Sequence, residues 1–159
     1  MKRKTTIKGY ILAYTSAISA YRETRIKTAS QGQLIIMLYD EAVKNLDRAL
    51  DLLGKNDKGK KDPGKIEQVN NAILKTQDIV TELSVSLDFD QGGEIAQNLF
   101  ALYTWFNHEL LEGNIKQDLE RITAVRNLIN DLRGAWTVII SKNTADNTGK
   151  VVGGIDIAG

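Results

Sequence analysis

Apolar residues recur along this chain at intervals of three and four over four long stretches, the spacing that stacks side chains on one face of an α-helix. The first stretch opens at Ser30, an N-cap residue, with Gln33 three positions later completing a capping box, so a helix is predicted from Gln31 to about Gly54. Leu34, Leu38, Ala42, Leu46, Ala49 and Leu53 form one stripe of it, and Ile35, Tyr39, Val43 and Leu50 a second. Leu34, Ile35, Ile36, Met37, Leu38 and Tyr39 also follow one another without a polar break, which makes about 1.5 turns apolar all round.

A charged loop, GKNDKGKKDPG, leads to Asp62 and Pro63, read as the N-cap and first residue of a second helix. Ile66, Val69, Ile73, Thr76, Val80, Leu83 and Leu87 alternate steps of three and four there, the seam of a helix packed nearly parallel to its neighbours. The break at Asp88 to Gly93 predicts a third helix, with Ile95, Leu99, Leu102, Phe106 and Leu110 on one stripe and Ala96, Phe100, Tyr103 and Leu111 beside it. Gly113 and Asn114 are expected to end it. A fourth helix then carries Leu119, Ile122, Val125, Ile129, Leu132, Trp136 and Ile139 or Ile140.

Short links between long helices make neighbours antiparallel. The pattern therefore predicts an all-α, up-down-up-down four-helix bundle over residues 30–143, an N-terminal helical or flexible arm over 1–29, and a flexible glycine-rich tail over 144–159. The first 20 residues have the basic start and small-residue end of a secretory signal. Tyr10, Tyr14, Thr15, Ser16 and Ser19 dilute the apolar middle, which favours the reading as a cytoplasmic arm.

With 159 residues the chain suffices for one domain with a real core. It has no cysteine, which excludes disulfides, thiolate metal sites and thiol catalysis and fits a reducing compartment. A formal charge of +1 provides no general field for nucleic acid or acidic lipid. The short basic clusters MKRK and KGKK read as solvated loop charge, and no apolar run approaches the roughly 20 residues of a membrane span. Neither nucleic-acid binding nor membrane insertion is expected.

Bundles that hold two metal ions need paired inward histidines, whereas this chain has one, His108, on the side of its helix away from Phe106. QGGE lacks the preceding strand and the lysine of a phosphate loop. No catalytic residue, metal site or cofactor is predicted, and the chain does not read as an enzyme.

The apolar turn is what distinguishes this sequence. A helix of a four-helix bundle buries a stripe and wets the rest, yet Ile36 and Met37 fill part of the side expected to be wet. Either the N-terminal arm, with Ile11, Leu12, Ile18, Tyr21 and Ile26, or another protein would cover them. Each such side chain removed from water is worth roughly 1.5 to 3 kcal/mol, so arm and partner would compete for one groove.

Three blocks carry a family resemblance: Tyr21 followed by TAS and LIIMLYDEA, then GGEIAQNLFALYTW, then LINDLRGAW. In order and spacing they resemble the FliS family of flagellar export chaperones. Gln31 and Glu41 depart from its usual proline and glycine. The resemblance implies a non-catalytic cytosolic bundle that binds the disordered C-terminal segment of flagellin, prevents premature polymerisation and keeps it competent for flagellar type III secretion. It further implies contact with export apparatus components and a free form that is a monomer or weak homodimer. Partner-binding positions carried over from it, together with the apolar turn, are Ile18, Tyr21, Leu34, Ile35, Ile36, Met37, Leu38, Tyr39 and Asp40; Gly92 and Gly93 fall at its inter-helix turn, and Leu102, Tyr103 and Trp136 at its core positions. The alternative reading is a self-associating helical adaptor or structural bundle with no flagellin client.

Overall fold

A computed structural model describes the backbone of residues 31–55 and 62–158, with side chains as far as residue 142. Four helices follow in order: α1 (Gln31–Gly54), α2 (Pro63–Val85), α3 (Phe89–Lys116) and α4 (Leu119–Ala158). Each packs on its neighbours in the chain, and α1 also packs on α4, which closes the ring into an up-down-up-down bundle. The Ser30 cap and the arm, with Ile18 and Tyr21, lie outside the described residues.

The caps explain where the helices begin. Asp62 accepts from the amides of Gly64 and Lys65, and Pro63 fills the first helical position, as its lack of an N–H allows. Asp88 does the same for α3, accepting from Asp90 and Gln91. That helix therefore starts before the glycine pair rather than after it. Its other end also lies beyond the predicted stop: Gly113 and Asn114 are helical, and the reversal falls at Gln117, which adopts φ 52°, ψ 44°. Gly113 has a packing role instead. A Cβ there would lie 2.8 Å from Cγ1 of the buried Ile122, so the missing side chain lets α3 and α4 approach.

The predicted seam of α2 forms the core from Val69 through Ile73, Thr76 and Val80 to Leu83, while Ile66 at its start overruns the packed region and is exposed. Tyr39, Leu46, Tyr103, Phe106, Leu110, Ile122, Val125 and Ile129 fill the rest of the interior. The backbone of α4 stays helical to Ala158 where a non-helical tail is predicted from residue 144. No proline follows Pro63, and each glycine costs only about 1 kcal/mol relative to alanine, too little to stop a helix already propagating. No helix among the described residues is long and apolar enough to cross a membrane.

Candidate functional site

The apolar turn of α1 is resolved by its position between two helices. Ile36, Asp40, Val43, Asp47 and Leu50 form one stripe, spaced four, three, four and three. Asp47 accepts from Arg126 Nε at 2.7 Å, and Asp40 pairs with Arg133, so this stripe is the flank that faces α4. Ile36 falls on it and is half-buried, as is Met37. Neither is sealed in the core, and neither stands fully in water as expected for a wet side.

The remaining predicted contact residues divide by depth. Leu34 is buried and Tyr39 is wholly so. The Tyr39 hydroxyl meets that of Tyr103 and accepts from Trp136 Nε1 at 3.1 Å, which assigns it to the core of the bundle. Leu34 is buried beside it at 5% exposed. A helix flanked on two sides buries a wider arc than one stripe, and both residues lie within it. Ile35 and Leu38 are partly buried against the core. Asp40 remains at the surface, engaged by Arg133.

Ile35 lines an apolar cleft of about 200 Å³ at the end of the bundle where α1 begins and α2 turns into α3. Leu83, Leu87, Ile95, Leu99 and Trp136 supply most of its apolar walls, with Asp88 and Gly92 at one side. Beside it, Thr81, Ser84, Val85, Phe100, Thr104 and Asn107 border an open groove between α2 and α3. Large apolar residues around these openings stay in water: Val85 is 59% exposed, Phe89 47%, Ile95 70% and Phe100 48%. Phe89 and Phe100 are in ring contact there, while Leu111, Ile115 and Leu119 are exposed in the same way at the opposite end. Periodicity had assigned Ile95 and Phe100 to core stripes; they lie outside although Ala96 between them is buried, so it is Ala96, Tyr103 and Phe106 that set the inward face of α3 and Ile95 and Phe100 fall to either side of it.

A different surface lies between α1 and α2, where Asn45, Arg48, Gln68, Asn71, Lys75 and Asp78 line a polar depression. Partial burial raises the Asp78 carboxyl above its ordinary range. Two basic side chains, Arg48 and Lys75, share its walls with one acidic one, Asp78, so it presents no strong single-sign field. His108 is exposed, as its helical position predicts. Among the described residues no group of three or more histidine, cysteine, aspartate or glutamate side chains is arranged to hold a metal ion.

Comparison with known proteins adds a second line of observation. A family model described as flagellar protein FliS matches residues 14–143. The flagellar secretion chaperone FliS of Salmonella typhimurium is 35% identical over 132 residues, which cover 80% of this chain and 92% of that protein. Its counterpart in Bacillus subtilis is 28% identical over 144 residues, covering 91% of this chain and 99% of the relative. A crystal structure of a flagellar chaperone from bacteria superposes with a TM-score of 0.62 at 19% identity, over 80% of this chain and 98% of the other, a likeness of fold.

Proposed function

Because this chain belongs to the FliS family of flagellar secretion chaperones, we propose that it is a cytosolic export chaperone for flagellin. It binds the disordered C-terminal segment of flagellin on its apolar end, prevents premature polymerisation and keeps the segment competent for flagellar type III secretion. The observation that carries this reading is the cluster of Val85, Phe89, Ile95 and Phe100, left in water around a cleft lined by Ile35, Leu87, Leu99 and Trp136.

The mechanism follows from what such a surface offers. An amphipathic segment lays anchors at intervals of three and four into grooves between helices, while its polar face stays wet. A disordered chain that orders on binding loses conformational entropy at that moment, so it needs many modest contacts spread over a wide area. Contacts of that kind hold the client without a single deep pocket and release it readily. Covering the client's apolar faces removes the surfaces through which its copies would associate. Handover to export apparatus components then requires only that they compete for the same faces.

Ile35, Ile36, Met37 and Leu38 contribute the α1 side of the contact in this reading, with Asp40 at its edge. The arm of residues 1–29, including Ile18 and Tyr21, leads into α1 at the end of the bundle that carries the cleft, so in this reading it competes with the client for it. Light scattering on a sizing column, with and without a flagellin C-terminal peptide, tests the proposal. A monomer or weak dimer that forms a stoichiometric complex supports it. A tight homodimer indifferent to peptide overturns it in favour of a self-associating bundle.

A further inference from the structure

The first turn of α3 is set apart from the rest of its helix. Asp88 Oδ1 accepts from the amides of Asp90 at 3.0 Å and Gln91 at 3.1 Å, and the Gly92 amide donates to the Asp88 carbonyl at 2.7 Å. One residue later Gly93 takes φ 51°, ψ −123°. This is the mirror image of the first central position of a type II turn, open to glycine and closed to residues with an L side chain. Phe89 to Gly92 therefore form one closed turn on a glycine pivot.

Little ties this turn to the bundle. Phe89, Asp90 and Gln91 are exposed, and the first buried residue of α3 is Ala96. Further along, Tyr103, Phe106 and Leu110 anchor the helix in the core. The turn is held mainly by the ring of Phe89, which stands edge-on to Phe100 with centroids 5.9 Å apart and planes at 69°. Segments with few buried contacts open at lower free energy than the elements around them.

Its position gives the motion a consequence. Asp88, Gly92 and Ile95 form one wall of the end cleft, and Phe100, against which Phe89 rests, borders the α2–α3 groove. A cleft of about 200 Å³ is too small for the several anchors of an amphipathic helix. Val85 and Phe100 at the groove add further apolar anchors to those of the cleft, with Thr81, Ser84, Thr104 and Asn107 as its polar border.

We propose that Phe89–Gly92 is a hinged flap, pivoting at Gly93, that divides the end cleft from the α2–α3 groove in the free protein and swings out when an amphipathic client segment docks. The inference rests on the flagellin reading above and concerns how the same site is gated. The client occupies the track that opening creates, and the Phe89–Phe100 contact closes it again on release.

The absence of cysteine permits clean pairs of spin labels on the full chain. One pair joins Gln91→Cys on the flap to Lys75→Cys on α2; a control joins Gln97→Cys, beyond the pivot, to the same α2 position. Flagellin C-terminal peptide is added, with its binding followed separately by fluorescence anisotropy on the unlabelled protein. The flap distance is expected to change by about one helical turn, ~5 Å, with the control distance fixed. In Gly93→Ala, which cannot hold the closed backbone, the flap distance is expected to be shifted before peptide is added. Bound peptide with no change in the flap distance, or an equal change in both pairs, overturns the flap. An unshifted flap in Gly93→Ala overturns the pivot. Failure of the peptide to bind the unlabelled protein overturns the flagellin reading itself and removes the flap's trigger with it.

Discussion

The hydroxyl of Tyr39 on α1 meets the hydroxyl of Tyr103 on α3 inside the core, 64 positions apart in the chain, and the Trp136 indole of α4 donates to the Tyr39 oxygen at 3.1 Å. Three helices are thus joined by two polar contacts within the core. Tyr39→Phe removes the shared oxygen and leaves the Tyr103 hydroxyl and the Trp136 N–H without it. A buried polar group deprived of its partner costs about 1–3 kcal/mol, and denaturant unfolding is expected to show a loss of that size. Adding Tyr103→Phe to Tyr39→Phe is expected to cost less than the sum of the two single changes, because both act on one contact.

The same pair sets a limit on stability at high pH. Burial is the main cause that raises both phenols above the ordinary tyrosine range; hydrogen bonds from Tyr103 and Trp136 oppose it at Tyr39, whereas the neighbouring Tyr39 adds to it at Tyr103. The folded protein therefore holds these protons after the unfolded chain, with tyrosine pKa near 10, has begun to lose them. Their contribution is complete below about pH 10 and falls as pH rises beyond it. Thermal melts followed by circular dichroism are expected to show Tm dropping above about pH 10, more steeply in the wild type than in the Tyr39→Phe, Tyr103→Phe double variant.

Gly113→Ala tests whether the glycine serves packing rather than helix termination. The new Cβ would stand 2.8 Å from Cγ1 of Ile122, which is fully enclosed and has no space to swing into. Overpacking of this kind costs about 1–3 kcal/mol and offsets the gain of about 1 kcal/mol that alanine brings to a helix. A net loss of stability is expected on urea denaturation. Gly54→Ala, with nothing within 4 Å of its added Cβ, is expected to be neutral or slightly stabilising.

Much of this architecture is legible in the sequence because the seams are regular. The α2 seam from Val69 to Leu83, the Asp62–Pro63 start and the exposed His108 all follow from spacing and capping alone. Local pattern fails where partners are distant. The stripe of Ile35, Tyr39, Val43 and Leu50 already turns Tyr39 inward, but nothing near it announces a phenol 64 residues away. Ile36 looks surplus until Asp40 and Asp47 show that its flank faces α4. Ile95 shares a stripe with Phe106 yet lies in water beside the buried Ala96, because spacing of three and four leaves two adjacent stripes and does not say which of them turns inward. The glycine pair reads as a break, whereas Asp88 has already started the helix and Gly93 bends it.

The contrast between Met37 and Leu83 separates the docking surface from the core. Leu83 is 2% exposed on the α2 seam, so Leu83→Glu buries a charge with no partner and costs several kcal/mol. Loss of cooperative melting and of peptide binding together is expected. Met37 is half-buried at the α1 rim, where a glutamate can turn toward solvent. Met37→Glu is expected to keep its helical circular dichroism and lose about 1 kcal/mol or less of stability. Its affinity for a flagellin C-terminal peptide, read by anisotropy, is expected to fall about tenfold, equivalent to roughly 1.4 kcal/mol. Ile95→Glu, on the far wall of the cleft and 70% exposed, is expected to behave as Met37→Glu does. Unchanged affinity in both folded variants would place client binding on another face of the bundle, and equal unfolding of Met37→Glu and Leu83→Glu would assign Met37 to the core.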